Sequence, residues 1–410
     1  MIHAGLSRRR RMRALETRIA AVLVMAMLLS PWMAGQSSDS QKPEPDIHEH
    51  FVSVAKLVSG PSHVLHDLEQ RGVSFQGMFV QDWSKGTNAQ TSPTGFGRYS
   101  LDLSTTLDGE KLLGSRGTTG LVRLKQHMEE FGVTNDGAAQ IYSNIDAPSR
   151  TTLYELWLEQ KLASGKLRLK GGKIDANTEF AVVQNAGDFL NSSMGYSPTI
   201  MDFPTYPTPK LGLNAFLSPT KGNHLGFGVF ATNGKGILTL VEPGRSWSLG
   251  KNELDGHINV GYWRRDGEIP GFDGGMSFVT QGYYAVLEQT AWRGTHGEAE
   301  RRLAGFLQFG RSDGRVNSFT HHVGGGAVLQ APLARRPHDS LGVGATWVRF
   351  SSQLGAGFEL PAELVVESYY KVAITRNIAL VQDFQFVHNP GGMKSNPDYP
   401  VITPRLAVSF

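Results

Sequence analysis

The chain has 410 residues, of which 19% are charged, and a formal charge of +3. No apolar stretch approaches the ~20 residues of a membrane-spanning helix, and with no cysteine the fold cannot be held by disulfides. The 48 glycines suit many turns and tightly bent strands, so stability has to come from burial or from closing a sheet.

Six arginines between Arg8 and Arg18 precede an apolar run from Ile19 to Leu29 and the small residues Ala34 and Gly35. That order predicts a secretory signal peptide over residues 1–35. Its removal takes away six Arg and Glu16, which turns the formal charge from +3 to −2. The apparent basicity therefore belongs to the targeting segment and says nothing about nucleic acid. Residues 36–50, rich in Ser, Gln, Pro and acids, read as a flexible lead. A short helical segment is expected over 51–72, on the spacing of Val64, Leu65 and Leu68 before Gly72.

From Val73 onward the pattern is strand after strand. Predicted strands are 73–82, 97–107, 119–129, 152–162, 166–174, 210–218, 224–232, 256–264, 279–290, 301–310, 321–331, 340–350, 361–372, 377–388 and 400–410. A single-chain bacterial barrel has an even number of strands, with both ends on the periplasmic side. Counted from either end, 224–232 and 256–264 both run outward. An inward strand must separate them, and Arg245 to Gly250 fits best. The predicted fold class is all-β: a transmembrane antiparallel β-barrel of sixteen strands over 73–410, preceded by the short helical segment. Short connections at 163–165, 219–223 and 373–377 fall on the periplasmic side, and long ones at 130–151 and 175–209 fall outside. The inner connections at 291–300 and 332–339 are longer than ideal. At the end of the chain Ile402, Pro404, Leu406, Val408 and Phe410 share one face. An alternating strand that stops on an aromatic residue is what the closing strand of an outer-membrane barrel looks like.

Alternation alone does not distinguish a soluble sandwich from a barrel in lipid, but charge density does. Arg98, Ser100, Asp102, Ser104 and Thr106 share one face of their strand, opposite Tyr99, Leu101, Leu103 and Leu107. Arg123, Lys125, His127 and Glu129 form a second polar face, and Glu155, Trp157, Glu159 and Lys161 a third, opposite Tyr154, Leu156 and Leu158. Arg168 with Lys170, and Glu363, Glu367, Tyr369 and Lys371, continue the series. Unpaired charges at this density cannot face a dry core, because each costs several kcal/mol. They can line a water-filled bore, which barrels of about 16 strands enclose. Trp157 and Trp263 lie on the polar face. There each offers a flat plate on which a sugar ring can stack, with neighbouring Glu, Arg and Asn to bond its hydroxyls; a place in the interface belt or packing under an inward-folded loop is the other reading. Tyr99, Tyr283 and Tyr370 fall on the lipid face as girdle residues.

The segments Leu156-Trp157-Leu158-Glu159-Gln160, Leu167 to Lys170, Gly172 to Asp175, Phe189 to Ser193 and Asp383 to Gly392 follow in the order seen in one family. Through them the chain resembles the carbohydrate-selective porins of OprB type, from about residue 60 to its end. The resemblance implies passive passage of mono- or oligosaccharides through the bacterial outer membrane. It also implies a constriction of charged and aromatic side chains with an inward-folded loop, and it puts Glu155, Trp157, Glu159, Arg168, Lys173 and Asp175 at or near that constriction. Gly171 departs from the family's more usual apolar residue. Lys173 and Asp175 share the parity of Leu167 and Leu169, so a bulge at Gly171-Gly172 is needed to turn them inward.

Other chemistry finds little support. His321 and His322 are neighbours on a strand and point to opposite faces, so they cannot share a metal. Glu155 and Glu159 lie about 13 Å apart along one strand at ~3.3 Å per residue, beyond the ~5–9.5 Å of paired glycosidase acids. The expectation is a channel with no catalysis, cofactor or metal ion. Its partners would be carbohydrate solutes and outer-membrane lipid, without nucleic acid, and both a homotrimer and a monomer are open. A general diffusion pore, a membrane-embedded hydrolase and a secreted soluble all-β binding protein are the alternatives.

Overall fold

The computed structural model describes residues 62–86, 96–129, 137–251, 253–296 and 299–410. The segments expected at 1–35 and 36–50, and the first part of 51–72, lie outside the described residues. Strands with one apolar face and short turns pair with their sequence neighbours, and closing the sheet removes its two open edges. Sixteen strands close into one antiparallel barrel in which β1 pairs with β16. They are β1 (Val73–Gly86), β2 (Phe96–Asp108), β3 (Thr118–Glu129), β4 (Arg150–Leu162), β5 (Leu167–Ile174), β6 (Lys210–Thr220), β7 (Asn223–Ala231) and β8 (Gly236–Leu249). The second half comprises β9 (Leu254–Pro270), β10 (Met276–His296), β11 (Ala299–Ser312), β12 (Phe319–Gln330), β13 (Ser340–Phe350), β14 (Ala362–Ala373), β15 (Ile378–His388) and β16 (Tyr399–Ser409). Among the described residues three α-helices accompany them: α1 (Ser62–Gln70) before β1, α2 (Gly109–Leu113) in the β2–β3 turn and α3 (Ser192–Gly195) in the β5–β6 loop.

The last residue closes the barrel. The Phe410 N–H donates to Gly77 O at 2.9 Å, and the Gly77 N–H donates to Phe410 O at 2.7 Å. Gly77 leaves room for the terminal ring, since a Cβ there would lie 2.1 Å from Phe410 Cε2.

Side chains follow the predicted inversion. Leu158, Leu211, Leu213 and Leu307 face outward at 65%, 68%, 69% and 59% exposure, whereas Asp82, Arg98, Glu155, Glu363 and Glu367 are buried inside. Apolar outside and charged inside is the arrangement lipid demands and water forbids. The secreted soluble alternative is thereby excluded.

Several expectations are corrected. β8 begins at Gly236, nine residues before the predicted start. Its inward Leu238 and Leu240 are fully buried against a loop core, so both faces are apolar and the alternation is lost. The connection expected at 291–300 is mostly strand, because β10 runs to His296 and β11 starts at Ala299. The bulge lies in β4, not at Gly171-Gly172. Arg123 pairs with Glu155 and Leu124 with Leu153, which leaves Tyr154 as the extra residue. Tyr154 therefore turns inward with Glu155 and is buried, not lipid-facing. Pairing through Gly171 and Gly172 is unbroken on both sides of β5. Gly172 instead adopts a φ of 141° and lets β4 approach, since a Cβ there would lie 2.2 Å from Leu156 O.

A charge on the outward face tests this orientation. Leu307→Arg, near the middle of β11, is expected to cost about 2–4 kcal/mol in a bilayer, measured by denaturant unfolding in lipid vesicles. Indifference to the change would indicate a face in water.

Candidate functional site in the bore

Two loops at the end of the barrel opposite the chain terminus fold into the bore: 137–149 between β3 and β4, and 175–209 between β5 and β6. The longer one packs apolar side chains against the wall. Phe180 meets Phe216 and Phe230 at ring separations of 5.1 and 6.2 Å, over a buried cluster with Leu238, Leu240, Trp263 and Tyr284. Farther along, Phe189 packs edge-on against Phe306 at 5.6 Å and Tyr369 at 4.9 Å. Tyr142 of the shorter loop packs on Val365, Val387, Tyr399 and Val401.

A loop buried this deeply must find acceptors for its backbone N–H groups, and glutamates of the wall provide them. Glu155 accepts from Asp175 N at 3.0 Å and Glu242 from Ala181 N at 2.9 Å. Glu288 accepts from Gln184 N and Asn185 N at 2.8 and 2.7 Å. Glu367 accepts from Leu190 N and Asn191 N. Glu363 holds Ala139 N and Gln140 N of the other loop, both at 2.8 Å, together with Gly391 N at 2.6 Å. A buried amide left without such an acceptor would cost roughly 1–3 kcal/mol. The loops also bind each other, through Asn144 N to Leu190 O at 2.7 Å and Ser192 N to Ile141 O at 2.9 Å.

With those sectors covered, the charged side chains of β2 to β5 face the remaining bore. Arg123 bridges Glu155 at 2.8 Å and Asp102 at 3.5 Å, and Lys125 reaches Asp102 at 3.2 Å. Lys125 also sits 4.2 Å over the Tyr154 ring. Further toward the turns, Arg168 joins Glu159 at 2.9 Å and Glu179 of the loop at 2.6 Å. Lys170 bonds Glu179 as well and lies 3.9 Å over the Trp157 ring. Among these groups Arg123, Asp102 and Arg168 keep roughly a quarter of their surface open. At the loop mouth the Tyr206 hydroxyl donates to Ile145 O at 2.6 Å. Burial, with the Asp146 charge beside it, pushes that hydroxyl upward from its ordinary value, so it stays a neutral donor.

Glu155, Trp157, Glu159, Arg168, Arg123 and Lys125 therefore come together on one wall. Three expected members do not join them as lining groups. Trp263 is fully buried beneath the loop, because the wall at β9 is covered. Lys173 faces outward, paired with the exposed Leu156 and Leu211 in a strand without a register break, and its ammonium donates to Leu153 O at 2.6 Å. Asp175 turns inward past the end of β5, but as an anchor. It accepts from Asn177 N at 3.0 Å and from the Tyr154 hydroxyl. The bore is thus not uniformly wet: part of its wall is dry and apolar, and the glutamates there bond amides rather than water. Reasoning from sequence missed Glu242 and Glu288 as loop holders and took Glu363 and Glu367 for bore-lining groups. A signal was present in Leu240-Val241-Glu242, Val286-Leu287-Glu288 and Val365-Val366-Glu367. In each, an acid follows an inward apolar residue by one pleat. Among the described residues no group of three or more His, Asp or Glu could hold a metal ion.

A closed sixteen-stranded barrel, oily outside and narrowed by inward loops over a charged wall, is an outer-membrane pore. Residues 97–410 match the model of the carbohydrate-selective porin, OprB family, and the chain belongs to that family. The structure is similar to the high-pH form of Pseudomonas putida OprB, with a TM-score of 0.76 and 18% identity over 84% of this chain and 96% of that one. The low-pH form of the same protein matches with a TM-score of 0.57 and 20% identity over 84% and 95%. Vibrio cholerae OmpT lacking loop L8 matches with a TM-score of 0.50 and 10% identity over 82% and 99%. No curated protein matches the sequence. As a family member the chain is an outer-membrane porin for carbohydrates, and its family and barrel fold are those of non-enzymatic channels.

Removing the loop's acceptors should loosen it. Glu242→Ala combined with Glu367→Ala is expected to raise single-channel conductance and current noise in planar bilayers; an unchanged, quiet channel would refute the anchoring role.

Proposed function

We propose that the sugar passes between the 175–209 loop and the β2–β5 wall, in contact with Asp102, Arg123, Lys125, Arg168 and the accessible part of Trp157. The observation that carries this reading is the interleaving of both signs of charge, with Arg123 between Asp102 and Glu155 and Arg168 between Glu159 and Glu179. Such a wall has little net field to attract one ion sign, yet it presents fixed donors and acceptors that can replace water around hydroxyl groups. A neutral polyol suits it better than a simple anion or cation. Because Lys170 covers part of the Trp157 ring, stacking there is confined to what Lys170 and the loop leave open. Residues 1–35 direct export and are removed in this reading, and flux follows the concentration gradient.

The test is block of ion current by a series of mono- and disaccharides. Trp157→Ala is expected to weaken block by about two- to tenfold, the worth of one aromatic contact, with open conductance equal or higher. Block that is equally weak for every sugar would remove selectivity and leave a general diffusion pore.

A further inference from the structure

Outside the bore, two arginines with a histidine between them stand side by side at the end of the barrel opposite the chain terminus. Arg311 of β11 pairs with His321 of β12, and His321 pairs with Arg349 of β13. All three face outward: their neighbours Ser312, His322, Val348 and Phe350 are buried inside. On one side the row continues into Tyr283 and Tyr262, whose rings lie 5.4 Å apart. One pleat toward the middle of the membrane the same strands present Phe309, Val323 and Trp347, of which Phe309 and Val323 are 44% and 47% exposed. The cations thus sit immediately beyond the edge of the apolar band, at the depth of lipid headgroups.

Neighbouring strands are about 4.8 Å apart, so Arg311 and Arg349 flank His321 across roughly 10 Å. The two guanidinium charges repel one another at this separation. Here nothing within the barrel offsets them. Among the described residues neither guanidinium makes an ion pair or hydrogen bond, and the His321 ring bonds only its neighbour Thr320, through Nδ1 at 3.1 Å. Two other arginines at this end are paired, Arg264 with Asp266 at 2.7 Å and Arg315 with Asp313 at 2.6 Å. Two guanidinium forks with free donors, a ring nitrogen between them and the flanking phenol of Tyr283 make a complement for a phosphate group.

We propose that Arg311, His321 and Arg349 form a docking site on the outside of the barrel for the phosphate-bearing headgroup of a membrane lipid, whose acyl chains lie over Phe309, Val323 and Trp347. The site is separate from the bore and needs no part of the transport reading.

The experiment titrates detergent-solubilised, full-length protein with lipid A carrying both phosphates, with the same lipid stripped of them, and with inorganic phosphate, reading bound lipid by native mass spectrometry. The phosphorylated lipid is expected to bind, and Arg311→Gln with Arg349→Gln to weaken it about tenfold or more, while Arg311→Lys with Arg349→Lys retains part of the binding. Heat-modified gel mobility and sugar-blocked conductance should be unchanged in the double glutamine variant, as both positions lie off the bore. Equal binding of the stripped lipid, equal binding by the glutamine variant, or saturation by inorganic phosphate alone would overturn the proposal. So would a change of oligomeric state without a change in lipid binding, which would put a second copy of the chain on the patch.

Discussion

The structure depends on one interaction, the acceptance of backbone N–H groups from an inward loop by carboxylates of the barrel wall. A sixteen-stranded cylinder left to itself encloses a wide aqueous channel. Narrowing it requires chain in the middle, and chain away from water must have every amide satisfied. Short loops cannot supply a sheet or a long helix to do so. Glu155, Glu242, Glu288 and Glu367 do it from outside the loop, at successive positions along its length from Asp175 to Asn191.

That solution divides the interior. Where the glutamates hold the loop, the wall between them is free to be apolar, and Phe180, Phe189 and Trp263 make a dry core inside a membrane channel. Where the loop leaves the wall partly open, on β2 to β5, the side chains remain charged, and this is the sector we propose contacts the solute. The pairing of Glu159 and Glu179 through Arg168 joins the two regions. A change in how the loop sits would therefore move one half of the constriction relative to the other.

Much of the fold was legible because a membrane barrel writes its rule into every second residue. The positions of most strands, the even count and a closing strand that ends on Phe410 follow from parity and turn length alone. Parity failed where a second rule intervened. Tyr154 reads as lipid-facing until the β4 bulge is known, and nothing in Leu153-Tyr154-Glu155 marks a bulge. β8 was hard to find because loop packing makes both of its faces apolar at Leu238 and Leu240. The charged wall was legible at Arg123, Glu155 and Glu159. Trp263 was not, because an aromatic residue on the inner face reads the same whether the loop covers it or not. The segments Phe189–Ser193 and Asp383–Gly392, far apart in sequence, touch through Asn191 and Gln385 at 3.1 Å.

Amide hydrogen exchange on the purified, detergent-solubilised porin tests the anchoring most directly. The N–H groups of Ala181, Gln184, Asn185, Leu190 and Asn191 belong to no strand, yet the carboxylate contacts require them to exchange as slowly as amides of the barrel wall. Exchange at the rate of an open surface loop would contradict the account.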